Sequence, residues 1–239
     1  MKRGAWAAGL AALACATPPS PVPARVGVLD EVPSLDRRTS SEHFLLRTAV
    51  REPWVSSQAL SVLEAALHVG PRVAPFAGAP TTRKHRVGEV LLHRYPPALG
   101  PGGGPSTDPH AARATLAFPR PVPAHLNPDP ALPPDLASSL AHEAFHLWMA
   151  QRTDDHGPLW WREGLAETAA ELVMSERLGT VAGVARNYAE ESVMELRAAS
   201  LGPGWRTPAD LFAGRVGESR QLFYATAWWA VRTLHELDE

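Results

Sequence analysis

Apolar and polar residues are patterned unevenly along the chain, with short apolar runs in the first half and helical stripes in the second. His43–Ala49 (His-Phe-Leu-Leu-Arg-Thr-Ala) is a short, largely apolar run that predicts a strand. Behind Pro53, apolar residues at Val55, Leu60, Leu63 and Leu67 recur at helical spacing and predict a helix over Pro53–Val69. Val87–His93 predicts a second strand, ended by Pro96-Pro97, and the glycine-rich Leu99–Pro109 predicts a flexible loop. Ala112–Phe118 predicts a third strand, closed by Pro119 and placed at a sheet edge. After a proline-rich loop, Pro119–Pro134, four helical stretches follow: Asp135–Arg152, Leu159–Leu178 stopped by Gly179, Val181–Leu201 and Ser219–Leu237. Strands first and helices later give an α+β class: a small N-terminal mixed sheet with a helix, then a helical lobe. No internal repeat is visible.

The chain's start changes the picture of where it works. Met1-Lys2-Arg3 precedes an uncharged stretch, Gly4–Ala14, too short to span a bilayer and of the kind found in secretory signals. It runs into Leu13-Ala14-Cys15, and Cys15 is the single cysteine among 239 residues. A small residue directly before such a cysteine resembles a bacterial lipoprotein signal, which implies lipidation of Cys15 and anchoring at a membrane of the cell envelope. Cleavage after Ala16, giving a freely secreted protein, is the alternative. Residues 1–16 thus read as a signal peptide, 17–41 as a proline-rich tether and 42–239 as the working domain. The formal charge is −2, and loss of Lys2 and Arg3 leaves 21 basic against 25 acidic residues. No basic tract of the length expected for nucleic acid or an anionic membrane surface is present, so membrane contact is expected only through the anchor. With one cysteine there is no internal disulfide, and stability must come from packing.

Chemistry concentrates in His142-Glu143-Ala144-Phe145-His146. Two histidines four apart on a helix lie nearly above one another, about 6 Å apart along the axis, so both imidazoles can reach one ion. Glu143 lies roughly 100° around the helix, badly placed to ligate with them but well placed to act as a base. A catalytic zinc takes three protein ligands and keeps one position open. Seventeen residues after His146 stands Glu163, in Trp160-Trp161-Arg162-Glu163-Gly164-Leu165-Ala166-Glu167. The intervening Thr153–Pro158, ending in Gly-Pro, stops one helix and starts another, so a helical hairpin can return Glu163 to the histidine pair. Glu167 is one turn further on the same face, placed to hold the outer nitrogen of a ligand histidine.

This two-helix unit, specific over about Asp135–Glu171, resembles the gluzincin metallopeptidases, the group of thermolysin and the zinc aminopeptidases. There H-E-x-x-H is followed by an acidic third ligand, often in a Trp-x-x-Glu-Gly-x-Ala phrase, as in Trp160 with Glu163-Gly164-Leu165-Ala166. The resemblance implies one zinc on His142, His146 and Glu163, Glu143 as general base and Glu167 holding a ligand in place. It also implies an oxyanion-stabilising role for Tyr224 in Phe223-Tyr224-Ala225-Thr226-Ala227-Trp228-Trp229, which matches the aminopeptidase tyrosine in spacing and setting. The Gly-x-Met-Glu-Asn phrase with which aminopeptidases hold a free amino terminus has no counterpart before His142. That favours an endopeptidase over an N-terminal exopeptidase.

The expectation is a zinc-dependent endopeptidase of the cell envelope acting on peptide or protein substrates, bound extended along Ala112–Phe118. Two alternatives stand beside it: a metal-stabilised binding protein without turnover, and a metal-dependent hydrolase of a non-peptide amide. His125 and His156 flank the metal unit in sequence and are candidates for substrate contact. Trp148, Trp160, Trp161, Trp228 and Trp229 read as packing around the helices.

Overall fold

The computed structural model describes residues 35–78, 87–94, 105–117, 132–153, 157–177 and 220–238, all within the unit Pro33–Glu239. The expected leader with Cys15, the helix over Val181–Leu201, His125 and His156 lie outside the described residues.

Among the described residues the chain is α+β, with five strands and four helices. The strands are β1 (Arg37–Ser40), β2 (Phe44–Thr48), β3 (Gly88–His93), β4 (Ser106–Asp108) and β5 (Arg113–Ala117). The helices are α1 (Pro53–Val73), α2 (Pro134–Ala150), α3 (Leu159–Arg177) and α4 (Arg220–Asp238). Sheet order is β1-β2-β3-β5-β4, with β2, β3 and β5 mutually parallel and the two outer strands antiparallel to their neighbours. Register places Leu46 beside Val90 and Val90 beside Ala114, so one sheet face is a row of small and branched apolar residues. Phe44, Leu46, Val90, Leu92, Ala114 and Leu116 point into the core from that face. The other face carries Arg47 and Arg113, both meeting Glu89 across the strands, at 3.6 and 2.7 Å.

Two sequence expectations fail here, for one physical reason. Ala112–Phe118 is not an edge strand, because β5 is paired on both sides, by β3 and β4. The edge on that side of the sheet is β4, three residues inside the stretch expected to be loop. Likewise β1 falls inside the expected tether. All four β1 residues are exposed, and β4 shows only its middle residue partly covered. Neither strand carries the alternating apolar signal that buried faces impose, so hydrophobic pattern cannot find them. Helix α1 also runs past Gly70-Pro71 to Val73. Gly70 there lies against the Trp148 indole, where an added Cβ would meet ring carbons at 2.7–2.9 Å.

Helix α2 is the centre of the domain, contacting β4 and β5 on one side and α1 and α3 on others. It is buried nearly all round, as the positions Leu136, Leu140, Ala141, Ala144, Phe145, Leu147, Trp148 and Met149 attest. Helix α3 packs on α1, α2 and α4. Its far half is tied to α4 by Glu171, which accepts from the Trp228 indole at 2.8 Å and pairs with Arg232 at 3.0 Å. Trp148, Trp160 and Trp228 pack as expected, whereas Trp229 is 52% exposed. No helix among the described residues is long and apolar enough to cross a membrane.

Candidate metal centre

Polar groups in the middle of a core helix call for an explanation, since burying them unpaired is costly. Helix α2 has His142 at 9% and Glu143 at 6% exposure, and α3 adds Glu167 at 9%. Their surroundings supply the partners. His142 and His146, one turn apart, bring their Nε2 atoms within 3.0 Å of each other. The first turns of α3 place a Glu163 carboxylate oxygen 3.2 Å from His142 Nε2 and 3.4 Å from His146 Nε2. On the opposite side of the His142 ring, Nδ1 lies 3.1 Å from Glu167 Oε1. The hairpin of α2 and α3 therefore assembles the four residues that the sequence singled out for this role.

Three donor atoms at mutual distances of 3.0, 3.2 and 3.4 Å can hold a metal ion. Bonds of about 2.0–2.1 Å at a tetrahedral angle put ligand atoms roughly 3.3–3.4 Å apart. The donor set, two imidazoles and a carboxylate, suits a first-row divalent ion, zinc among them. Charge points the same way: Glu143, Glu163 and Glu167 gather around two histidines, an excess of negative charge in a buried place. Burial alone would lower the pKa of His142. The charge of Glu167, hydrogen bonds to Glu163 and Glu167 and the charge of Glu143 outweigh it and hold the imidazole well above its ordinary value. For Glu163, burial pushes upward, but hydrogen bonds and charge from His142 and His146 keep the carboxyl well below the usual carboxylate range. Both shifts mark a site that favours charged groups over neutral ones.

Glu143 stands on the neighbouring face of α2, turned toward the sheet. The hydroxyl of Thr107, in β4, donates to Glu143 Oε2 at 2.5 Å. A cleft of about 290 Å³ opens over these groups, lined by Ser106, Thr107, His142, Glu143, His146, Met149, Arg162, Glu163 and Tyr224 among others. Tyr224 reaches the cleft from α4, its ring edge-on to His142 with centroids 5.9 Å apart. Gly164 allows this approach. Its Cα lies so close to α4 that an added Cβ would sit 2.4 Å from the Ala227 carbonyl oxygen.

Sequence reasoning missed Thr107 and Arg162. Thr107 was hidden inside a segment read as loop, and pattern offered no signal for it. Arg162 could have been found from its place beside Glu163, where a charged residue on the ligand-bearing turn has few ways to avoid the site. No family model, curated protein or solved structure matches the chain.

Proposed function

We propose that this chain is a zinc-dependent endopeptidase built on a gluzincin-type catalytic unit. The observation that carries the reading is the donor triangle of His142, His146 and Glu163, with Glu143 beside it and Glu167 behind it. A metal alone is consistent with a structural role, but a structural zinc site is closed by four protein ligands. Here three donors face a cleft that also holds a carboxylate and a phenol.

A zinc ion held by these residues would supply Lewis-acid polarisation and acidify a water molecule. The protein's own groups do the rest. Glu143 accepts the proton of the attacking water and delivers it to the leaving amine. Thr107 anchors one carboxylate oxygen of Glu143, which fixes the direction of the other. Glu167 holds His142 through Nδ1, leaving Nε2 turned to the metal position. Tyr224, which lines the cleft with its ring edge-on to His142, is assigned the donation of a hydrogen bond to the oxyanion that develops during attack.

Extended peptide is expected along β4 rather than β5, because β4 is the outer strand and lines the cleft through Ser106 and Thr107. An edge strand binds backbone groups of any sequence, which suits cleavage of a peptide amide more than of an isolated small amide.

The test combines metal analysis with cleavage of a peptide mixture. The parent protein should carry about one zinc and cut internal bonds. Glu143→Gln should keep the zinc and lose turnover, since the amide keeps the shape and loses the base. Parent protein that is fully loaded with zinc yet cuts nothing, or a Glu143→Gln variant as active as the parent, would overturn the reading.

A further inference from the structure

Among the described residues, Arg162 is an arginine without an anion. Arg47, Arg72, Arg113 and Arg232 each meet a glutamate. Arg152 lies over the Trp148 ring at 4.5 Å. Among the described residues the Arg162 guanidinium has no hydrogen bond and no ion pair; its Nε is buried with no partner, as is that of Arg47, but Arg47 keeps Glu89 at 3.6 Å through Nη1. An arginine cannot escape this by losing its proton, as a buried lysine can. A donor buried without an acceptor lowers stability, so a site that retains one gains something else by it.

Position suggests what. Arg162 directly precedes Glu163 and lines the same cleft, together with Met149 and Ala150 at the end of α2. Because Arg162 and Glu163 line one cleft, the Arg162 fork can serve a substrate group held in that cleft. A guanidinium matches a carboxylate in shape and charge, through two parallel N–H···O bonds. The backbone of a peptide, held on β4, offers no such group. A carboxylate close to the scissile bond does.

We infer that Arg162 binds a substrate carboxylate beside the scissile bond, making this an enzyme selective for peptides with an acidic group there. The inference rests on the peptidase reading and names the substrate class of that same site. The carboxylate has two sources, an Asp or Glu side chain or the free C-terminus of a short peptide, and both present the same fork-shaped acceptor.

Binding to the zinc-loaded Glu143→Gln protein separates recognition from turnover. The probes are peptides matched except for Glu against Gln at each position around the cleaved bond, and each with a free or an amidated C-terminus. Calorimetry should show one acidic form bound about 10–100-fold more tightly than its neutral twin. A preference abolished by Glu→Gln assigns the side chain, and one abolished by amidation assigns the terminus; either supports the inference. Adding Arg162→Gln should bring the acidic-to-neutral ratio close to one, and Arg162→Lys should retain part of it, with zinc content checked in each protein. No preference in the parent background, or the same preference without Arg162, overturns the inference. Cleavage by the unsubstituted protein is followed in parallel. If it cuts none of the peptides, the peptidase reading fails by itself, and the binding ratio still decides whether Arg162 recognises a carboxylate.

Discussion

Gly164→Ala is the substitution whose outcome depends most directly on the described geometry. An alanine Cβ at this position would lie 2.4 Å from the Ala227 carbonyl oxygen, 2.6 Å from Val231 Cγ2 and 2.8 Å from the Ala227 carbonyl carbon. Carbon contacts settle at about 3.5–4.0 Å, so α3 and α4 must part by roughly 1 Å. Two of the three contacts are backbone atoms, which no rotamer change can move aside. Overpacking of this kind costs about 1–3 kcal/mol, here toward the upper end. Against it stands the helix preference of alanine over glycine, about 0.8–1.0 kcal/mol. The net is a loss of roughly 1–2 kcal/mol, or a fall in Tm of about 2–8 °C for a domain of this size. Function should suffer more than stability, because Tyr224 sits one turn before Ala227 on the displaced helix. A shift of about 1 Å in a catalytic group can cost roughly 100-fold in rate. His142, His146 and Glu163 stay on α2 and α3, so zinc content should hold at the parental level. Adding Val231→Ala should recover only part of the loss, since the clash with the Ala227 carbonyl remains. Thermal melting, metal analysis and peptide turnover of the two variants make the test. A Gly164→Ala protein more stable than the parent by the helix-propensity increment, with turnover intact, would refute the close approach of α3 and α4.

Further outcomes are expected at the site and beyond it. Tyr224→Phe should lower turnover by roughly 10²–10³-fold while KM, metal content and Tm stay near parental values; an undiminished kcat would make Tyr224 a wall of the cleft and nothing more. Glu167→Ala should weaken zinc affinity about 10–100-fold by freeing His142 Nδ1, and a competition titration against a chelator that shows no change would remove Glu167 from the site. Glu64, which accepts from the His43 amide at 3.0 Å and lies 2.8 Å from His43 Nδ1, ties α1 to the start of β2. Burial alone would raise its pKa, but hydrogen bonds from Ser41 and from the His43 amide and imidazole, with the histidine's charge, lower it below its usual 4.5. A carboxyl with a depressed folded pKa stabilises the fold above its unfolded pKa and stops doing so as pH falls through the folded one. The Tm gap between parent and Glu64→Gln should therefore narrow from about pH 5 to pH 3, and a gap that ignores pH would show the pair to be without effect.

What was legible in the sequence and what was not divides along burial. The cluster of His142, His146 and Glu163 could be read because helical geometry converts sequence spacing into distance: four residues bring His142 to His146, and a short Gly-Pro connection brings Glu163 back. The inner strands could be read because Phe44, Leu46, Val90, Leu92 and Leu116 face a core. The outer strands could not, because Arg37–Ser40 and Ser106–Asp108 gain their place by backbone pairing, to which side-chain pattern is blind. That blindness hid Thr107 and placed at the sheet edge a strand, β5, that is paired on both sides. Tyr224 stands between these cases. Its distance from Glu163 suggested a role, yet only the closeness of α3 to α4 at Gly164 brings the ring to the cleft.

Strand β4, the outer strand beside the site among the described residues, has a further meaning for how this protein behaves in company. An unpaired edge invites any extended chain to add to the sheet, including another copy of the same protein. Here the invitation is brief. Pro105 and Pro109 bracket Ser106-Thr107-Asp108, and neither proline has an N–H to offer a neighbouring strand. The Asp108 carboxylate accepts from the amides of His110 and Ala111, which turns the chain away directly after the strand. A visiting chain can engage a short stretch of backbone and then finds no continuation. On this edge, therefore, the same five residues that can display a strand to a peptide also limit how far sheet growth could extend from it.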